Sequence, residues 1–433
     1  MNKHLIIIVL LFFSLPGISQ EWTLENCILY AKKNNKELVE KLTANKISKI
    51  EETIEYTELF PKMFLDFSTD HYWKIPVESY PAELLGGEEG TTVKIPIGTP
   101  WMSSYRVGMS WKIFDIEAIN KIKLSVLLKK SSETKTSIFL KIIKKNVTLA
   151  FYSTQIYREK MNLAKKQLDD YNLIHNLTFE QFKNGLIDKI VYNQSKNILI
   201  NCQSHYLLDE QEYQASLLNL KFWMGYPLLK EIIIPENYNI PVYLSQASFS
   251  YEQLPEYKEY ENEILISKQY RKIAMSSLSP KVSLNGSYGQ KGFGATPSEL
   301  LGNKWYPSGY IGISINFPLF SMKDIRVINK HNTMIQHKIF RMNSYLETQK
   351  KEFLSVSMKL KNSWKKIKLK REQYKNSEES LLLSIEKVKE GIIDLTLLQS
   401  IQSEFFARKD ELYNSYIEYM KHYIDVKYLQ EYE

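Results

Sequence analysis

Cysteine is almost absent from this 433-residue chain: only Cys27 and Cys202 occur, far apart and each inside a helical segment. Two such thiols make no disulfide framework, and both read as buried side chains. Past residue 20 the sequence has no apolar run near the roughly 20 residues that a membrane-spanning helix needs. Any passage through a bilayer therefore has to be made by strands. Catalytic signatures are missing as well. His71, His175, His205, His331, His337 and His422 are scattered over unrelated elements, with no His-Glu-x-x-His pattern and no paired cysteines. No catalytic, metal or cofactor-binding residue is predicted, and the chain reads as not an enzyme. Gly292-Phe293-Gly294 is no phosphate loop, because a third glycine and a βαβ setting are both lacking. The formal net charge of +8 comes from Lys and Arg spread along helical faces, which argues against nucleic acid as a partner.

What is present begins with Met1-Asn2-Lys3-His4, an apolar run from Leu5 to Leu15, then Pro16, Gly17 and Ser19. This order predicts a signal peptide over 1–20, cleaved after Ser19 or Gln20 and followed by export. No cysteine stands at the cleavage point, so no acyl anchor is predicted.

Beyond it the chain follows one plan twice. Phe60-Pro61-Lys62-Met63-Phe64-Leu65 answers to Ser279-Pro280-Lys281-Val282-Ser283-Leu284, a shift of 219 positions. From there on the shift is 206: Trp111-Lys112-Ile113-Phe114 answers to Phe317-Pro318-Leu319-Phe320, and Gly185-Leu186-Ile187-Asp188 to Gly391-Ile392-Ile393-Asp394. The expected organisation is a first repeat over 21–230, a linker over 231–250 and a second repeat over 251–433. Each repeat reads as helix, strand, strand, long helix, helix. The stretches from Lys74 to Pro100 and from Lys291 to Lys304, dense in Gly and Pro, read as irregular loops between the strands.

Four strands are predicted, at about 62–73, 101–114, 281–290 and 305–317, each with a period of two. Trp101, Ser103, Tyr105, Val107, Met109, Trp111 and Ile113 line one side, against Ser104, Arg106, Gly108, Ser110 and Lys112. Gly309, Ile311, Ile313, Ile315 and Phe317 oppose Ser308, Gly312, Ser314 and Asn316; Met63, Leu65 and Phe67 oppose Asp66, Ser68 and Asp70; Val282, Leu284 and Tyr288 oppose Ser283, Asn285 and Ser287. One face suits lipid and the other water, and Trp73, Trp101, Trp111, Trp305, Tyr306 and Phe317 stand near strand ends, where interface aromatics belong.

The long helices carry a heptad: Leu346, Phe353, Leu360, Ile367, Tyr374, Leu381 and Val388, matched at 206 positions less by Leu140, Val147, Thr154, Met161, Leu168, His175 and Phe182. A sustained seven-residue period predicts left-handed coiled-coil packing. His175 on this stripe reads as a polar interruption satisfied by a neighbour. From Asp115 to Lys183 there is neither Pro nor Gly, enough for about 100 Å of helix at 1.5 Å per residue.

This ordered set, in duplicate, resembles the TolC-like outer-membrane efflux proteins over the whole mature chain. The residues that carry the likeness are Trp22-Thr23-Leu24-Glu25-Asn26-Cys27 with Asn34-Asn35, Pro61 and Pro280, the Phe114 and Leu319-Phe320 strand exits, and the Gly185 and Gly391 turns. The resemblance implies a mainly α chain with a membrane β-barrel portion. Three copies would each give four strands to a trimeric 12-stranded barrel, continued by an α-helical tunnel into the periplasm. It implies a homotrimer in outer-membrane lipid that conducts substrates passively, in a tripartite efflux or type I secretion system with an inner-membrane pump and a periplasmic adaptor. The adaptor would dock at the turns Gly185, Leu186, Ile187, Asp188 and Gly391, Ile392, Ile393, Asp394. Where some members of the family place Asp just past the second turn, this chain has Thr396, Gln399 and Ser400, so the likeness does not extend to a carboxylate ring. A periplasmic adaptor or coiled-coil scaffold protein of the envelope is the alternative reading, because it also contains a long helical hairpin.

Overall fold

The structure, a computed structural model, describes residues 22–235, 241, 250–252, 254–302, 305–390 and 392–430. The expected signal peptide and most of the expected linker lie outside these residues. The chain divides into two compact units, one of Met1–Ala44, Glu133–Glu259 and Met342–Glu433, the other of Asn45–Ser132 and Tyr260–Arg341.

Helices dominate the first unit. α1 (Leu24–Asn34) is capped by Thr23, whose Oγ1 accepts from the Asn26 N–H at 3.3 Å, and it buries Cys27 and Ala31. Asn35 then breaks the helix and starts α2 (Lys36–Thr57): its Oδ1 accepts from the Leu38 N–H at 3.1 Å while its amide donates to the Trp223 carbonyl at 2.9 Å. One side chain thus caps a helix and ties it to a distant one, which gives the Asn34-Asn35 pair a physical reason. The long helix α3 (Ile116–Lys183) turns into α4 (Lys189–Met224), and α7 (Met322–Lys389) into α8 (Leu395–Gln430). The heptad residues Val147, Thr154, Phe353, Leu360, Ile367 and Leu381 are all buried. Phe353, Leu360 and Ile367 share a cluster with Ile156, Tyr413, Tyr416, Tyr419 and Met420; Leu381 joins Tyr171, Ile198, Cys202, Leu398 and Phe405 in a second. Each fully buried aliphatic or aromatic side chain stabilises by about 1.5–3 kcal/mol relative to exposure. Burial pushes the Cys27 and Cys202 thiols up to about 12, so neither is a nucleophile.

A buried ion network crosses this packing. Asp209 on α4 accepts from Lys160 of α3 at 3.0 Å and from Lys409 of α8 at 2.6 Å, and Lys160 also reaches Glu212 and Asp410, each at 2.9 Å. Burial works to lower the Lys160 pKa, but its bonds to Glu212 and Asp410 and the Asp209 charge prevail and hold it above the ordinary lysine value.

The second unit contains the sheet, with α5 (Pro255–Ser276) lying mostly in this unit. β1 (Lys62–His71), β4 (Trp101–Phe114), β5 (Lys281–Gly294) and β6 (Tyr306–Asn316) form one antiparallel sheet in the order β1-β4-β5-β6. The two repeats therefore meet at its centre, where β4 pairs β5 from Trp101↔Gly294 to Phe114↔Val282 with an irregularity at Lys112/Phe114. The stretch from Lys74 to Pro100 differs from the irregular loop expected. It holds a second hairpin, β2 (Val77–Pro81) with β3 (Thr92–Pro96), and a 3-10 turn over Ala82–Leu85 that Gly86 ends at φ 79°. Val77, Tyr80, Val93 and Ile95 are strand formers that the surrounding glycines and prolines outnumber in the sequence. After β5, which runs past Lys291 to Gly294 because Trp101–Ser103 of β4 supplies ladder partners, a short helix α6 (Pro297–Gly302) replaces the other expected loop.

Candidate membrane-facing sheet and helical turns

Register sorts the sheet residues into rows. Met63, Met109, Gly286 and Ile311 stand side by side across the four strands, as do Leu65, Val107, Tyr288 and Gly309. Trp111, Leu284 and Ile313 share the row nearer the helices. This apolar face is open: Leu65 is 75% exposed and Ile311 77%. A face of this size and composition, left bare in water, would drive aggregation.

The opposite face is polar and bonds to itself. Arg106 donates to Asp66 at 2.7 Å, the Ser68 and Ser104 hydroxyls meet at 2.9 Å, Ser110 donates to Asn285 at 2.9 Å, and Asn285 donates to Ser314 at 3.0 Å. Side-chain hydrogen bonds thus join each neighbouring pair of the four strands on this side, whereas on the apolar side the Thr69 and Ser103 hydroxyls meet at 2.9 Å. Two residues break its polarity and were not singled out by the alternation. Phe64 and Tyr310 occupy the two outer strands of one row, with Gly108 and Ser287 between them. A Cβ at Gly108 would collide with the Phe64 ring, so the glycine makes room for the aromatic. The signal available in the sequence was an out-of-phase Phe together with a Gly on the polar side of the neighbouring strand.

The expected interface aromatics divide by end. At the loop end, Trp73 is 94% exposed, Trp101 stacks on His71 at 4.2 Å, and Trp305 packs against Tyr105 at 5.5 Å. At the helix end, Trp111 donates its indole N–H to the Leu59 carbonyl at 2.8 Å, and Phe317 is exposed just past β6. Tyr306 stands apart, since its row contains Lys291, Ser104 and Ser68 of the polar face. Among the described residues, β1 and β6 each have one edge without a strand partner.

The two turns between long helices are built alike. At Gly185, φ is 72°, the Leu186 N–H bonds the Gln181 carbonyl at 2.9 Å, and Asp188 caps α4 by accepting from the Val191 N–H at 2.9 Å. In the second turn the Ile392 N–H bonds the Lys387 carbonyl at 2.9 Å, and Asp394 accepts from the Leu397 N–H at 2.8 Å; Gly391 lies outside the described residues. In the first turn Gly185 allows the left-handed exit, and in both the aspartate satisfies a free N–H of the next helix. Leu186 and Ile392 point into solvent, Ile187 and Ile393 are half-buried. Gln194 donates to Thr396 at 3.1 Å, which brings the starts of α4 and α8 together. His175 on the heptad stripe has its Nδ1 3.1 Å from the Ser195 hydroxyl, the satisfied polar interruption that was expected.

Among solved structures, the chain is similar to the CmeC outer membrane channel of Campylobacter jejuni, with a TM-score of 0.75 at 14% identity, over 94% of this chain and 85% of that one. It is similar also to the outer membrane protein VceC of Vibrio cholerae, TM-score 0.70 at 14% identity over 94% and 96%. A third match is the Neisseria gonorrhoeae MtrE outer membrane channel, TM-score 0.71 at 15% identity over 94% and 88%. The fold is that of the TolC-like outer-membrane channels. No protein-family model and no curated protein matches the sequence. The TolC-like plan of two helical hairpins and four strands in one sheet differs from an adaptor's single hairpin, which sets the alternative reading aside. Among the described residues no helix is long and apolar enough to cross a membrane, and no group of three His, Cys, Asp or Glu could hold a metal ion.

Proposed function

We propose that this chain is a protomer of an outer-membrane channel, in a tripartite efflux or type I secretion system, that passively conducts what an inner-membrane pump delivers through a periplasmic adaptor. The bare apolar face of the four-stranded sheet carries this reading. Lipid is the surroundings in which such a face is stable, and unpaired strand edges are not tolerated there. Four strands cannot close a barrel, so other copies supply the missing pairings, three in a homotrimer of twelve strands. The helical repeats then extend into the periplasm, 21–230 and 251–433 around the linker 231–250, after the signal peptide 1–20 has been removed. The chain contributes no chemistry of its own; transport energy comes from the pump.

Fractionation tests the reading. The protein is expected in the outer membrane as a heat-modifiable trimer, and the purified trimer is expected to give ion conductance in planar bilayers; a soluble monomer without conductance would refute it. The Gly185–Asp188 and Gly391–Asp394 turns dock the adaptor, as their exposed Leu186 and Ile392 suit an apolar contact. Replacing Leu186 and Ile392 together by Asp is expected to abolish transport while trimers stay in the membrane, and normal transport would count against docking there.

A further inference from the structure

The groove between α3, α7 and α8 offers a chemistry that neither the fold nor channel activity requires. It encloses about 470 Å³ and is lined by Tyr374, Tyr413 and Tyr416 together with Arg371, Lys166 and Glu159. Tyr413 and Tyr416 form a buried aromatic floor, edge to face at 5.9 Å. Arg371 donates Nε and Nη2 to the Tyr416 hydroxyl, each at 3.2 Å, with its guanidinium 5.8 Å from that ring. Among the described residues no carboxylate lies within ion-pair distance of Arg371 or Lys166, and Glu159 has no cation within that distance. An oriented, exposed guanidinium over an aromatic floor is suited to a planar carboxylate, which it can bind through two parallel hydrogen bonds.

Two comparisons show that the arrangement is not imposed by packing. At 206 positions less, the three tyrosines correspond to Leu168, Leu207 and Glu210, and Arg371 to Lys165, so the first repeat forms the equivalent helices without an aromatic floor. The charge around the groove is also denser than the even spread read from the sequence. Lys359, Lys361, Lys365, Lys366, Lys368, Lys370 and Arg371 fall within thirteen residues of α7. Lys366 and Lys370 are paired with Glu418 and Glu411, and Lys368 lies over the Trp364 ring at 5.8 Å. Lys359, Lys361 and Lys365, earlier on α7, have no carboxylate within ion-pair distance among the described residues, so this helix carries a positive balance.

We propose that this groove binds a planar aromatic carboxylate, its ring on Tyr413 and Tyr416 and its carboxylate on Arg371 and Lys166. The inference does not depend on the channel reading, since it concerns binding to the chain whatever the chain conducts. Calorimetric titration of the purified full-length protein with 2-naphthoate tests it. Saturable binding is expected, at least tenfold weaker for uncharged 2-naphthalenemethanol and at least tenfold weaker for Arg371→Gln. Glu159→Gln removes a carboxylate that repels the ligand and is expected to tighten binding two- to fivefold, a gain that a damaged fold cannot produce. Absence of saturable binding to the unaltered protein, equal affinity for the uncharged compound, unchanged affinity in Arg371→Gln or no gain in Glu159→Gln would each overturn the proposal.

Discussion

The helical unit and the sheet solve burial in opposite directions. In the helices, Phe353, Leu360, Ile367 and Leu381 turn inward, and even the charges of Asp209 and Lys409 are enclosed because each has a partner. In the sheet, Met63, Leu65, Val107 and Ile313 turn outward, and the polar side that holds Arg106, Asp66, Ser110 and Asn285 carries bonds between every neighbouring pair of strands. One chain thus carries two polarity rules, and the change of rule coincides with the change from a period of seven to a period of two. What separates the regions is the solvent each is built for. The helices exclude water from a core of their own, whereas the sheet supplies half of a contact that its surroundings complete.

The comparison breaks most severely if the outward face is made polar. Leu65→Arg combined with Ile313→Arg places two cations on the apolar side, at about 2–4 kcal/mol each where they meet the middle of a bilayer. Loss of the protein from the membrane fraction is expected, while Ser68→Arg with Ser314→Arg, on the other face, should leave it there. Equal behaviour of the two pairs would mean that the faces have been assigned wrongly. The enclosed charges come next. Asp209→Ala strands the fully buried Lys409, while Lys160 keeps Glu212 and Asp410, and is expected to destabilise by about 3–5 kcal/mol, read as a lower thermal midpoint of the helical signal in circular dichroism. Lys409→Met in the same background should recover part of that loss, because it removes the stranded cation; no recovery would show that the network is not what Asp209 supports.

Much of this two-sided design is legible in the amino-acid sequence alone. The alternation of Leu65 with Asp66 and of Ile313 with Ser314 states which way each side chain must turn, and the heptad from Leu346 to Val388 states which stripe of α7 is covered. The turns are legible from a glycine followed three positions later by an aspartate, in duplicate, since few other arrangements end one helix and cap the next. What the sequence hides depends on partners distant along the chain. Asp209, Lys160 and Lys409 look like three ordinary charges on helical faces until packing brings both lysines within 3 Å of the one carboxylate. Tyr306 falls at a strand end, as an interface aromatic should, and only the register with Lys291 reveals that it belongs to the polar side. The β2–β3 hairpin escapes because its strand formers are few and its glycines many, so local composition outweighs pairing that only the fold supplies.

The smallest expected effect tests how far the helical unit tolerates new charge. The His205 ring stacks on Phe406 at 4.0 Å, and burial lowers its pKa, with Lys409 acting in the same direction and Asp410 and Asp209 opposing. His422, also on the helices, is lowered by burial too, against the pull of Glu418 and Asp425. A histidine whose folded pKa is depressed takes up its proton first in the unfolded chain, so its contribution is complete above the ordinary value of about 6.5 and declines as pH falls below it. The thermal midpoint of the helical signal is therefore expected to drop between about pH 7 and about pH 5.5, within the range where histidine titrates. His205→Phe keeps a ring on Phe406 and removes the titration, so it should flatten part of that slope with little change at the upper end. If the variant and the unaltered protein lost stability in parallel on acidification, the loss would have to come from other groups and not from a proton forced onto the stacked imidazole.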